Sequence, residues 1–195
     1  MKQMKVLYSI YIPTGPIRTA LDAIRLFARP QTKYPAHITV RGPYSDYRDP
    51  RGWSAAVKGQ FVEVSGVDTF FGPDQNTVFL RANAPAIRSV WDKPDYPDYN
   101  PHLTIYDGES RVFAEALRAL LARKDPRVSF EANGLEPMVS GNGPAPLIAW
   151  YDPAELAPYM EAPPGRDEIV AADDPERLSW IEEVADSLIS SACGI

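Results

Sequence analysis

Apolar and polar positions alternate along residues 5 to 12, Lys-Val-Leu-Tyr-Ser-Ile-Tyr-Ile, a run rich in β-branched and aromatic residues. This predicts a strand, ended by Pro13 and Gly15. The period then changes. Ile17, Leu21, Ile24 and Phe27 recur at helical spacing behind Pro16, which suits a first helical turn, and Pro30 closes the helix. A second alternating run falls at about 36 to 41. After the turn residues Gly42, Pro43, Asp49, Pro50 and Gly52, residues 61 to 71 and 77 to 82 read as a hairpin joined by Gly72-Pro73-Asp74-Gln75-Asn76. A short helix at 85 to 91, a Pro- and Asp-rich stretch from Asp92 to Pro101, and another alternating run at 102 to 106 follow. The order helix, loop, strand thus begins to repeat.

Phe113, Ala116, Leu117, Leu120 and Leu121 mark one face of a further helix, capped by Asp107 or Ser110 and ended before Pro126. Strands are expected at 127 to 132 and 146 to 151. Past Asp152 the composition turns to Pro, Glu and Asp, with Pro153, Pro158, Pro163, Pro164 and Gly165. A domain of residues 1 to 152 is therefore expected to give way, over 153 to 195, to a linker and a terminal helix. That helix, 174 to 192, carries Leu178, Ile181, Val184, Ala185 and Leu188 on one face, and its polar face is acidic. It is expected to cover the main body rather than a membrane.

With 195 residues the chain can bury a self-sufficient core. Its 20 basic and 26 acidic residues, and a pI near 5.0, argue against long duplex nucleic acid as a partner, but leave room for a small anion in a local positive pocket. Cys193 is the single cysteine, which leaves no disulfide framework and no thiolate metal cluster. No apolar stretch approaches the roughly 20 residues that span a bilayer. The chain opens on a strand-like run in place of a secretory signal. A cytoplasmic, monomeric protein is the expectation.

The two remaining alternating runs hold the only histidines, in one shared frame: Tyr34-Pro35-Ala36-His37-Ile38-Thr39-Val40 and Tyr99-Asn100-Pro101-His102-Leu103-Thr104-Ile105. On extended strands His and Thr share a face and the aliphatic pair takes the other. In-line displacement at phosphorus needs a proton acceptor on the attacking side and a donor on the leaving side. Two imidazoles of ordinary pKa, ~6.5, can serve both, one neutral and one charged. The Thr39 and Thr104 hydroxyls can hold nonbridging oxygens, and no metal or cofactor is required. Regular alternation extends these faces to Arg41 and Tyr106. Arg41 would neutralise phosphate, Tyr106 or Tyr44 would stack on a base, and Tyr11 joins the candidate substrate-binding residues. Tyr34 and Tyr99 read as packing residues. Asp92, Asp95 and Asp98 read as a solvated flap rather than a cation site, because prolines interrupt them and the glycine and terminal glutamate of a calcium loop are missing. Trp53, Trp91, Trp150 and Trp180 form no periodic stripe and read as core or interface.

The paired His-x-Thr strands, 65 residues apart, resemble the 2H phosphoesterase superfamily, which includes bacterial 2'-5' RNA ligase-like proteins and 2',3'-cyclic nucleotide phosphodiesterases. The resemblance covers about residues 4 to 152. It implies an α+β fold, bilobal with a pseudo-twofold axis, in which two antiparallel sheets with outer helices surround a central cleft. It also implies metal-independent phosphodiester hydrolysis, with His37 and His102 as the acid/base pair and Thr39 and Thr104 holding phosphate. For a 2',3'-cyclic phosphate the product would be a 2'-phosphate. His102 would then activate water and His37 protonate the leaving 3' oxygen, or those roles would be exchanged. Many members follow the first motif with a basic residue and a Phe-Leu-Gly run; this chain has Arg41 and then Gly42-Pro43-Tyr44.

The expected partner is a small nucleotide or an RNA end. Three other functions use the same motifs: cleavage of a cyclic oligonucleotide or 2'-5' oligoadenylate messenger, 2'-5' RNA ligation, and non-catalytic nucleotide or RNA sensing. A ligase for long RNA calls for a basic stripe, to be gathered here from Arg18, Arg25, Arg29, Lys33, Arg41 and Arg48. A sensor has no need of both histidines and both threonines.

Overall fold

The computed structural model describes residues 5–95, 98–140 and 144–192; Cys193 lies outside them. Seven strands, β1 (Lys5–Tyr11), β2 (His37–Tyr44), β3 (Phe61–Phe71), β4 (Asn76–Asn83), β5 (His102–Gly108), β6 (Val128–Glu131) and β7 (Glu136–Ser140), form one antiparallel sheet in the order β6-β3-β4-β5-β2-β1-β7. The helices are α1 (Pro16–Ala28), α2 (Arg51–Val57), α3 (Pro85–Val90), α4 (Arg111–Lys124), α5 (Arg166–Ala171) and α6 (Asp174–Ala192). The fold is α+β, with a single sheet where the family resemblance implies two. The halves join where β2 pairs with β5, at Ile38 and Leu103. Both side chains are fully buried. The apolar faces of the two histidine strands share one core, and that burial draws their edges together.

The succession strand, helix, histidine strand occurs twice, as β1-α1-β2 and β4-α3-β5. Helix α1 packs on β5 and α3 packs on β2, so each helix covers the other half's histidine strand. Ser110 caps α4, its Oγ accepting from the Phe113 amide at 3.2 Å.

Two expected elements fall elsewhere. The stretch read as loop after Gly42 contains α2, which buries Val57 and sets Trp53 edge-on to Tyr8 at 5.4 Å. Tertiary packing here overrides the local turn signals of Asp49, Pro50 and Gly52. The last strand is β7 rather than 146 to 151. It lies at the sheet edge, paired only with β1, a position that tolerates Pro137. The apolar run Leu147-Ile148-Ala149 forms a short 3-10 helix instead.

The segment read as a linker is part of the body. Leu156, Ile169, Ile181, Val184 and Leu188 belong to the same buried core as Ile24 and Leu117. Helix α6 lies across α1 and α4, with Trp180 packed on Phe27 at 5.5 Å and with Arg123–Glu182 and Lys124–Asp186 pairs at 2.8 Å. No helix among the described residues is long and apolar enough to cross a membrane.

Candidate active site

Each histidine opens its strand and is tethered by its own backbone. Nδ1 of His37 lies 2.7 Å from the Pro35 carbonyl, and Nδ1 of His102 lies 2.8 Å from the Asn100 carbonyl. A carbonyl oxygen only accepts, so both Nδ1 atoms carry the proton and each neutral ring keeps its lone pair on Nε2. The pairing of Ile38 with Leu103, carried one residue in each direction, sets His37 opposite Thr104 and Thr39 opposite His102. The four residues make a square with the histidines on a diagonal. Strand spacing of about 5 Å and a diagonal of about 7–8 Å fit one phosphate between them.

Neighbouring strands support this square. Buried Ser9 pairs with Thr39 and brings its Oγ within 3.2 Å of the Thr39 hydroxyl. Tyr11 pairs with His37, its ring centroid 5.5 Å away. On the other side Phe79 lies opposite Thr104, with its ring 4.7 Å from His102, and Phe70 stacks on Phe79 at 4.5 Å. Tyr34 and Tyr99 act in packing, their hydroxyls donating to the carbonyls of Val139 and Ala84.

Three candidate binding residues do not reach the square. Tyr106 lies opposite Val78 while Thr104 lies opposite Phe79, so Ile105 is an extra residue in β5. This bulge turns Tyr106 into the core against Phe113 and puts Asp107 on the histidine face. Two register shifts flank the Tyr8–Arg41 pair of β1 and β2. Gly42, in the shift between Arg41 and Tyr44, has φ 92°, and a Cβ there would stand 2.6 Å from the Val6 carbonyl, so glycine is required. Arg41 is consequently engaged elsewhere. Its guanidinium donates to the Val90 carbonyl at 2.6 Å and to Asp92 at 2.8 Å, and lies 3.8 Å over the Trp53 ring. Tyr44 is buried, and donates to the same Asp92 carboxylate at 2.5 Å. Asp92 therefore anchors its loop to β2.

Two cations at the site are not among the candidate site residues, Arg25 figuring in the sequence only as part of a basic stripe. Arg25, buried in α1, donates from Nε to the Thr104 carbonyl at 2.8 Å and from Nη1 to the Tyr34 carbonyl at 2.7 Å. It thus clamps the backbones of both motifs, and Asp22 lies 3.5 Å away as its counter-charge. The signal was an arginine within the apolar stripe of a helix, beside Ile24 and Ala28. Lys93, the only cation between Asp92 and Pro101, faces the cavity that His102 lines.

That cavity, about 790 Å³, runs along β5 beside His102 and Thr104, with Phe70, Phe71, Trp91, Lys93 and Asp107 in its wall. A second cavity of about 360 Å³, at the start of α1 between Arg18 and Trp150, has neither histidine in its lining. Among the described residues no group of three His, Cys, Asp or Glu is placed to hold a metal ion.

Both imidazoles lose basicity in the fold. Burial, reinforced by the Arg25 charge, brings the His37 pKa down to about 4. Burial also lowers His102, with a further contribution from Lys93. Both are therefore neutral near pH 7 in the free protein, whereas ordinary pKa values would leave each ring partly charged. Between pH 6.5 and 4 the unfolded chain binds a proton at residue 37 that the folded chain resists. His37 accordingly contributes full stability above pH 6.5, and roughly 3 kcal/mol of it is lost as pH falls from 6.5 through 4. Imidazole resonances followed by NMR should show one titration near 4, and His37→Gln should flatten the acid decline in stability; a His37 midpoint above 6 would contradict this.

Comparison with models of known protein families, with curated proteins and with solved structures finds no match for this chain.

Proposed function

We propose that the protein is a two-histidine phosphodiesterase of the 2H type, acting without a metal on a cyclic or 2'-5' phosphodiester in RNA ends or small nucleotides. A 2',3'-cyclic phosphate is the preferred substrate and a 2'-phosphate the product. The observation that carries this reading is the pair of imidazoles, each tethered through Nδ1 to the carbonyl two residues back and set on the diagonal of a square completed by Thr39 and Thr104. The repeated β1-α1-β2 and β4-α3-β5 units support a bilobal, pseudo-twofold kinship within the one sheet.

The depth of the His37 shift, down to about 4, favours His37 as base, because its ring stays neutral over the whole pH range above that, and leaves His102 as acid, the reverse of the assignment named first from the motifs. The reacting form has His37 neutral and His102 protonated. His37 Nε2 takes a proton from water as its oxygen bonds to phosphorus. The bond from phosphorus to the 3' oxygen breaks, and His102 Nε2 gives that oxygen its proton. Thr39 and Thr104 hold the nonbridging oxygens, and Lys93 offsets charge on the His102 side. The large cavity lies on that side too, where the leaving oxygen and its nucleoside need space.

The ligase reading loses support from the disposition of the cations. Arg25 is buried, Arg41 is held by Asp92, and Arg18 and Arg29 pair with Asp22 and Asp107. Turnover of 2',3'-cyclic mononucleotides, RNA with a cyclic end, cyclic dinucleotides and 2'-5' oligoadenylate, all with EDTA present, tests the proposal. Cleavage of the cyclic mononucleotides, lost in His102→Ala, is expected; binding with no turnover of any member would favour a sensor. For the free enzyme, kcat/KM should describe a bell with its acid limb near pH 4 and its alkaline limb below 6.5, falling about tenfold per pH unit above that limb. An optimum above pH 7.5 would contradict the roles given to the histidines.

A further inference from the structure

The cavity beside His102 is acidic and aromatic where a second phosphate would require cations. Phe70 of β3 pairs with Thr77 of β4, and Thr77 pairs with Asp107 of β5, so the three stand in one row across the sheet. The next row toward the histidines holds Phe79 and Thr104. Phe70 is 46% exposed, with its ring 5.5 Å from His102. At the far end the Asp107 carboxylate is held in place: Oδ1 accepts from Gln75 Nε2 at 2.5 Å and from the Thr77 hydroxyl at 3.0 Å. Its Oδ2 has Arg29 at 3.8 Å, beyond hydrogen-bond reach, and the side chain is 37% exposed. Two strand spacings, about 10 Å, separate Phe70 from Asp107, and one row of the sheet, two residues of β4 or about 7 Å, separates Asp107 from Thr104 because Ile105 bulges out. A nucleoside reaches about as far from its phosphate to the far edge of its base.

We infer that this row is a base-recognition site, in which Phe70 stacks a nucleobase and Asp107 selects guanine. The inference rests on the phosphodiesterase reading. A carboxylate accepts and never donates, so it repels phosphate and any base edge that presents an acceptor to it. Guanine is the one common base with two N–H groups side by side, N1–H and the N2 amine, and both can converge on Oδ2. Adenine and cytosine set an acceptor beside their amine, and uracil flanks its single N–H with two carbonyls. An exposed aromatic ring supplies stacking but no discrimination among bases, so the selection falls to Asp107. The bulge at Ile105 is what brings this carboxylate to the cavity in place of Tyr106.

The test is calorimetric binding of guanosine, adenosine, cytidine and uridine 2'-monophosphates, the proposed product class, to the full chain and to its Asp107→Asn, Phe70→Ala and His102→Ala variants. Asparagine keeps one oxygen for Gln75 and Thr77 but turns an amide donor toward the base. Guanosine 2'-monophosphate should bind the wild type at least about tenfold more tightly than the other three. Asp107→Asn should erase that preference while changing uridine binding less than threefold, and Phe70→Ala should weaken all four about fivefold or more. Equal affinities in the wild type, or a guanine preference that survives Asp107→Asn, would overturn the inference; the phosphodiesterase reading would still stand if His102→Ala weakened all four. Failure of all four to bind would overturn both.

Discussion

His37→Ala and His102→Ala are each expected to lower kcat by about a thousandfold, and the double variant is expected to be little worse than either single one. General acid or base catalysis by a positioned imidazole contributes on the order of 10²–10⁴. If the two rings acted in separate steps, their losses would multiply. In the proposed mechanism the square of His37, Thr39, His102 and Thr104 would flank one phosphorus, and water attack and departure of the 3' oxygen would belong to one displacement. With one ring gone the other has no complementary partner, and removing it too has little further effect. The comparison also guards against a folding artefact, because neither ring is a large part of the core and each makes its tether only to the backbone next to it. Rates at saturating cyclic mononucleotide, with unfolding midpoints measured alongside, decide the matter. A double variant a thousandfold below both single ones would mean that the histidines do not share a transition state, and a His102→Ala enzyme within tenfold of wild type would remove it from the reaction.

Much of this site is legible in the sequence because strand alternation is a local rule. Ile38 and Leu103 point into the core, and His37, Thr39, His102 and Thr104 share the opposite face, as two-residue periodicity demands. The same rule fails three residues further on. One unpaired residue, Ile105, reverses every position after it, so Tyr106 goes inward and Asp107 outward. On the other strand the shifts around Tyr8 and Arg41 depend on a glycine that fits under the Val6 carbonyl, a contact with a distant strand that no local pattern reveals. The joining of two expected sheets into one depends on a single long-range pairing between β2 and β5. Helix α2 was hidden by turn-forming residues, and β7 by a proline that only an edge strand accepts. Helix α6 was readable for the opposite reason. Its apolar stripe is uninterrupted and its ends match the described helix.

Arg25→Met is expected to destabilise the fold by about 3 kcal/mol and, separately, to raise the His37 pKa from about 4 toward 6.5. The first effect follows from what the guanidinium holds. It satisfies the Thr104 and Tyr34 carbonyls in a buried setting and balances Asp22, whose own pKa burial already raises. Its removal leaves two buried carbonyls without a donor and leaves Asp22 only the more exposed Arg18 as a cation, at the low end of the about 3–5 kcal/mol that breaking a buried ion pair costs. The second effect follows from charge alone: Arg25 lowers the His37 pKa, so its loss must raise it. A merely structural residue would produce only the first. Adding Asp22→Asn separates the two, because asparagine still accepts from the Ala36 amide but leaves no buried charge behind. The double variant should regain part of the lost stability while His37 still titrates high. Its kcat/KM profile should show the acid limb displaced upward from pH 4 by the same amount as the NMR midpoint. If stability and the His37 midpoint instead recovered together, Arg25 would be a scaffold residue, and the low basicity of His37 would be due to burial alone.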